Sequence, residues 1–285
     1  MNVCFMLTSN NPKWNPPRKL VQEFMRKFPR INFLRQTDNI TEADVIFGWI
    51  IDKETLKIAK GLKWFHTAGV QYGHLQPIEL YEKAVVTNSR GVWKDYLANT
   101  VIDSIQKIIP LVNLKGKTAG IIGLGENGGE IAKRLHKVGM KVIATKKTTI
   151  KKPSYVEELF QPNFLNHLLE KSDLIILSVP STDETKNLIN KDNLKLAKKD
   201  AIIISTSRSE VVNNDDLIAF LDNGHLGAAI IDTMWPEKYQ KHEKIVTFIH
   251  MSPEHHDIWP KMFELFGENL KRFLNGKELL NRIYI

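Results

Sequence analysis

Residues 123 to 128 read Gly123-Leu124-Gly125-Glu126-Asn127-Gly128, a glycine spacing that can cradle a pyrophosphate. The first glycine allows a tight turn, the second lets the backbone approach the phosphates, and the third lets a helix lie close against the preceding strand. A helix starting there points unpaired N–H groups and its positive dipole end at the anion. Glycines also make plain strand-to-helix turns. Here the motif is framed by the apolar run Ala119 to Ile122 and by a helical pattern with Ile131, Leu135 and Val138 on one face. Gly123, Gly125, Glu126, Asn127 and Gly128 are therefore candidate contacts to a dinucleotide.

The end of the next strand should face the adenine ribose, where an acidic side chain binds the 2′-hydroxyl of NAD. This chain has Thr145-Lys146-Lys147 there, with Lys146 18 positions after Gly128. A carboxylate would repel the 2′-phosphate of NADP, whereas a hydroxyl and two ammonium groups can bind it through charge-assisted hydrogen bonds. NADP(H) is thus favoured and NAD(H) stays possible. A solvated lysine cluster would look the same in sequence.

The elements around these residues alternate short apolar runs with helical patterns. Before the glycines come Val3 to Leu7, a helix opened by Pro16-Pro17 with Leu20, Phe24 and Phe28, then Val45 to Trp49, Leu62 to His66 and Ala84 to Thr87. After them come Lys141 to Thr145, Leu174 to Val179, Ala201 to Ser205 and Gly227 to Ile231. Such alternation predicts an α/β fold of two doubly wound parallel-sheet domains, one of them a Rossmann dinucleotide-binding domain, with a cleft between them. The spacing of Leu97, Val101, Ile105 and Ile108 predicts a long helix over Val92 to Val112 that connects the domains, with apolar residues that can serve a contact between two copies. The amphipathic segment Met262 to Asn275 is too short to be a domain. The expected division is 1–91 plus 264–285 for a substrate domain and 92–263 for the dinucleotide domain.

With 285 residues, 42% hydrophobic and 25% charged, the chain can bury two modest cores. The start lacks the length and cleavage site of a signal peptide, and no run is long enough to span a membrane. The single cysteine, Cys4, rules out an internal disulfide framework and suits a cytoplasmic protein. A net charge of +8 comes from scattered lysines, without the basic helix of a nucleic-acid module. It suits small anionic ligands instead.

The stretch Lys115-Gly116-Lys117-Thr118-Ala119-Gly120 through Gly125 resembles the D-isomer-specific 2-hydroxyacid dehydrogenases. So do Val85 to Gly91, Ser178-Val179-Pro180 with Thr182 and Thr185, Ile204-Ser205-Thr206-Ser207-Arg208, Asn223 to Asp232, and Trp235-Pro236-Glu237. The resemblance covers essentially the whole chain and implies a substrate domain built from the N-terminal region plus the last helix. It also implies an enzyme interconverting a small anionic 2-oxo acid, of the glyoxylate or hydroxypyruvate class, and its 2-hydroxy acid with a nicotinamide cofactor and no metal. Further, it implies a homodimer, Arg208, Glu237 and His250 as the catalytic set, Val179, Pro180, Thr206, Ser207 and Asp232 as cofactor contacts, and Ala68-Gly69-Val70 with Arg208 as holders of the substrate carboxylate. Glu237 follows Arg208 by 29 positions, as the family pattern has it, while His250 follows Glu237 by only 13. The chain departs from the family at Glu126-Asn127, at Ser209-Glu210, and at Ile249, where a proline usually precedes the histidine. His255 and His256 are rivals for its role.

These residue types suit the chemistry. A guanidinium holds a carboxylate and polarises the neighbouring carbonyl with one planar fork. An imidazolium gives a proton to the carbonyl oxygen, and a carboxylate on its other nitrogen favours the charged form. A dinucleotide-sensing corepressor, a binding protein without turnover, would carry many of the same features.

Overall fold

The computed structural model describes residues 1–8, 14–34, 40–70, 76–148, 151–232, 234–248 and 258–284. It divides into two compact units, Met1–Trp93 with Ser252–Ile285, and Lys94–Met251.

The first unit contains β1 (Asn2–Met6), α1 (Arg18–Arg26), β2 (Asn32–Leu34), β3 (Val45–Gly48), α2 (Lys53–Ile58), β4 (Trp64–Thr67), α3 (Glu79–Lys83) and β5 (Val85–Asn88). Its five strands run parallel in the order β2-β1-β3-β4-β5. All four residues of β3 and of β4 are buried, as expected for strands covered on both faces.

The second unit contains α4 (Lys94–Gln106), β6 (Thr118–Ile122), α5 (Glu126–Lys137), β7 (Lys141–Thr145), β8 (Glu158–Phe160), α6 (Leu165–Lys171), β9 (Leu174–Leu177), α7 (Lys191–Leu194), β10 (Ala201–Ser205), α8 (Asn214–Asp222), β11 (Leu226–Asp232), α9 (Glu237–Gln240) and β12 (Ile245–Phe248). Its parallel sheet has the order β12-β11-β10-β9-β6-β7-β8. That is the dinucleotide-binding order with one strand added, and its direction of winding reverses between β6 and β9. The final helix, α10 (Ile258–Leu274), belongs to the first unit.

Two expectations need correction. The helix expected over Val92 to Val112 ends at Gln106, because Pro110 disfavours helical backbone in the residue before it. Its Leu97, Val101 and Ile105 are fully buried in their own unit's core. The expected boundary at 263/264 falls inside α10, whose Ile258, Trp259, Met262 and Phe263 are buried. Phe263 lies 5.6 Å from the Phe5 ring, and Phe266 stacks on Phe47 at 4.5 Å. These aromatic contacts keep the whole helix with the first sheet. Among the described residues no helix is long and apolar enough to cross a membrane.

His66, on β4, has no exposed surface, and its burial pulls the imidazole pKa down from 6.5 to about 3. The folded chain therefore refuses a proton that the unfolded chain accepts, so stability present above pH 6.5 is lost as the pH falls towards 3. Relative to its value at pH 8, the unfolding free energy at pH 5 should fall by about 2 kcal/mol more in the wild-type protein than in His66→Gln. Denaturant titrations at the two pH values check this, and an equal pH dependence in both proteins would contradict it.

Candidate active site

The registers align one end of the second sheet. Ile122 pairs with both Thr145 and Leu177, Leu177 with Ser205, Ser205 with Ile231, and Asp232 with Phe248. Glycine loop, Lys146, Val179, Ser207 and Arg208 therefore follow strand ends, and Asp232 ends β11, at the same end of the sheet, where ligands bind in open parallel sheets.

Gly123 has φ +96°, and a Cβ there would sit 2.5 Å from the Ser178 carbonyl oxygen. Only glycine fits. At Gly128 a Cβ would run into the Gly123 carbonyl oxygen, so the start of α5 packs on the loop itself. Gly125 is different: a Cβ there meets nothing within 4 Å, and its φ of −87° suits any residue. Internal packing explains the first and third glycines but not the second. Space kept clear for a ligand's phosphates accounts for it, and α5 begins at Glu126 with no side-chain cap over its N-terminus. The loop thus fits a dinucleotide. Glu126 is exposed and Asn127 half-buried.

Thr145 is buried, and its carbonyl accepts from Gly123 N (3.2 Å) and Leu124 N (2.9 Å). Its hydroxyl oxygen also lies 3.4 Å from Gly123 N. Both oxygens face the loop, and the Thr145 hydroxyl still has its proton to donate; beside it stand Lys146, half-buried, and Lys147, exposed. Lys146 Nζ donates to the Leu124 carbonyl at 2.7 Å, and Lys147 Nζ pairs with Glu184 at 2.7 Å.

After β9 and β10 the chain is locked by side chains. Thr206 donates through both N–H and hydroxyl to the Leu177 carbonyl, each at 2.9 Å. Ser207 Oγ accepts from Val179 N at 3.0 Å and donates to Val179 O at 2.8 Å. Pro180 O accepts from the Thr185 hydroxyl at 2.6 Å. Trp235 Nε1 donates to Ser207 O at 3.4 Å, and buried Asp232 accepts from Met234 N at 2.8 Å. Trp235 was legible only as a neighbour of Glu237, since nothing in its spacing announces that it reaches back to β10. Arg208 opens a short 3-10 turn (Ser209–Val211). Its guanidinium is half-buried and meets no carboxylate among the described residues.

Glu237 is the first residue of α9, its side chain 77% exposed and paired with Lys241 at 2.8 Å. Such an exposed pair is weak and exchanges readily. His250, His255 and His256 lie outside the described residues. Phe248, two positions before His250, ends β12 beside Asp232.

In the first unit, the loop after β4 has most of its polar groups engaged. Ala68 N donates to Gly48 O at 2.8 Å and Gly69 N to Thr67 Oγ1 at 3.1 Å. Gly69 O accepts from Ser89 N at 3.1 Å and Val70 O from Asn88 Nδ2 at 3.0 Å. Of the three N–H groups expected to hold a carboxylate, only that of Val70 has no acceptor among the described residues.

The family model for the NAD-binding domain of D-isomer-specific 2-hydroxyacid dehydrogenases matches residues 85–255. The chain belongs to that family. A glyoxylate reductase of Pyrococcus horikoshii is 36% identical, over 90% of this chain and 87% of the relative. That of Thermococcus litoralis is 31% identical, over 84% and 83%. The apo D-mandelate dehydrogenase of Rhodotorula graminis shares the fold, with a TM-score of 0.81 at 20% identity over 100% of this chain and 97% of that one. This member is accordingly an NAD(P)-dependent 2-hydroxyacid dehydrogenase.

Two glycine substitutions separate packing from binding. Gly128→Ala should lower stability by about 1–3 kcal/mol through overpacking. Gly125→Ala should leave stability within about 0.5 kcal/mol yet weaken dinucleotide binding by about tenfold or more. Thermal unfolding and calorimetric titration of both variants check the pair, and normal cofactor binding by Gly125→Ala would contradict the assignment.

Proposed function

We propose that this dehydrogenase reduces a small 2-oxo acid of the glyoxylate or hydroxypyruvate class to its 2-hydroxy acid, preferring NADPH over NADH. The observation that carries this reading is Arg208: a half-buried arginine with no carboxylate partner among the described residues, at the same end of the sheet as the glycine loop and the Lys146-Lys147 pair. A cation in that setting is best stabilised by an anionic ligand. The glyoxylate reductases among the relatives favour the substrate class.

The nicotinamide cofactor supplies the hydride when bound. The N-terminus of α5, with Gly123, Gly125, Glu126, Asn127 and Gly128, receives the pyrophosphate, and Lys146 and Lys147 receive the 2′-phosphate. Val179, Pro180, Thr206 and Ser207 shape the cofactor-facing loops, and Asp232 accepts from the nicotinamide carboxamide. Arg208 grips the substrate carboxylate and polarises its carbonyl, and the loop Ala68-Gly69-Val70 of the first unit offers a carboxylate the Val70 N–H, which has no acceptor among the described residues. His250 donates the proton to the carbonyl oxygen, while Glu237 exchanges Lys241 for the imidazole and stabilises its charged form. A homodimer and a cytoplasmic location complete the proposal, buried Cys4 being suited to a reducing compartment.

Initial rates of NADPH oxidation across a panel of 2-oxo acids test the function, with saturable turnover of glyoxylate or hydroxypyruvate expected. Turnover of none of them would contradict it and favour a dinucleotide-sensing role. Arg208→Ala should raise KM and lower kcat together, because the guanidinium acts on both the bound acid and the developing oxyanion. NADPH affinity should change far less.

His250→Ala should lower kcat by about two to four orders of magnitude. Glu237→Gln should have a smaller effect and move the apparent pKa for reduction downward, since a neutral amide no longer stabilises the imidazolium. Parallel pH–rate profiles of His255→Ala and His256→Ala check the assignment: a loss confined to either position transfers the proton-donor role there.

A further inference from the structure

The first unit contains an imidazole that the reaction above does not use. His66 Nδ1 lies 2.7 Å from Thr87 Oγ1 and Nε2 lies 3.2 Å from Ser89 Oγ, with all three residues buried. The directions of donation can be worked out from the neighbours. Trp64 Nε1 donates to Thr87 Oγ1 at 2.8 Å, which leaves the Thr87 proton for His66 Nδ1. Ser89 Oγ gives its only proton to Thr67 O at 3.2 Å, so it must accept from His66 Nε2. One chain of donors therefore runs from Trp64 through Thr87, neutral His66 in its Nε2–H form, and Ser89 to the Thr67 carbonyl. Ser89 also donates its backbone N–H to Gly69 O at 3.1 Å. The end of this relay thus grips the loop from Thr67 to Gly69 on two carbonyls.

We propose that His66 is a positioning residue: through Ser89 it fixes the backbone of the loop and so aims the Val70 N–H that receives the substrate carboxylate. The inference rests on the reading of that loop as an anion holder. A purely space-filling ring would leave the loop indifferent to the nitrogens. The surroundings argue otherwise, because Phe47 at 5.0 Å and Phe266 at 5.6 Å pack the ring faces and edges while both nitrogens are spent on hydroxyls.

The test compares Ser89→Ala, His66→Phe and His66→Gln in the full chain by amide hydrogen exchange and by steady-state kinetics with NADPH and a 2-oxo acid. Ser89→Ala and His66→Phe should speed exchange in the segment 64–70 and raise KM for the acid by about tenfold, the equivalent of one lost hydrogen bond of the stronger kind. Their kcat and their NADPH affinity should move much less. His66→Gln, which can still offer one donor and one acceptor, should restore most of the KM. If His66→Phe fails to fold, Ser89→Ala breaks the relay at its other end and decides alone. Unchanged exchange over 64–70 would overturn the positioning role. Faster exchange with an unchanged KM would instead overturn the loop's part in binding the acid while leaving the relay in place.

Discussion

Thr145 ends β7 with both its oxygens turned towards the glycine loop, and the cofactor side of the molecule is built on that contact. Its carbonyl takes the N–H groups of Gly123 and Leu124, which is feasible only because Gly123 adopts a left-handed conformation and carries no side chain towards Ser178. The loop so fixed brings Gly128 onto the Gly123 carbonyl and starts α5 at Glu126. Lys146 then closes the circuit on the Leu124 carbonyl at 2.7 Å. Strand end, loop and helix N-terminus form one hydrogen-bonded unit, preorganised for an anion before any arrives.

The neighbouring strand ends obey the same requirement, that buried backbone groups find partners. Ser207 satisfies Val179, Thr206 caps the Leu177 carbonyl, and Trp235 reaches the Ser207 carbonyl. These groups are satisfied by protein, whereas Arg208 has no carboxylate partner among the described residues. The contrast with Glu237, exposed and already paired with Lys241, is informative. The arginine is held ready for a ligand by a stiff frame, whereas the acid sits on a four-residue helix and can change partners.

Elements with a strong periodic signature were legible in the sequence. Leu174–Leu177 and the stretches 201–204 and 228–231 are continuous buried apolar runs because both faces of their sheet are covered. Strands β2, β8 and β12 lie at the edges of their sheets and are mostly half-buried, so they lack the fully buried apolar run of the central strands, and β12 passed as part of the approach to His250. The glycine motif was readable because three separate steric needs fall at fixed spacing. Thr145 reads in the sequence as a ligand contact, whereas the bonds its oxygens accept from the loop show only in the fold. The same holds for the acceptors of the Ala68 and Gly69 N–H groups, the Gly48 carbonyl brought in by β3 and the Thr67 hydroxyl at the end of β4 itself. The relay through His66 joins Trp64, His66 and Thr67 of β4 to Thr87 of β5 and to Ser89 just beyond it, and no local pattern could announce it.

The central claim is that a cationic strand end, wired to the glycine loop, makes and selects the cofactor site. An ammonium has three donors, so Lys146 can keep the Leu124 carbonyl and still bind a phosphate. Calorimetric dissociation constants for NADPH and NADH, measured on the unmodified protein and on Lys146→Asp, test this most directly. The unmodified protein should bind NADPH more tightly by about tenfold or more, one charge-assisted contact contributing roughly 1.5–3 kcal/mol, and Lys146→Asp should shift the preference towards NADH. Equal affinities in the unmodified protein, or a preference that Lys146→Asp leaves untouched, would contradict the account.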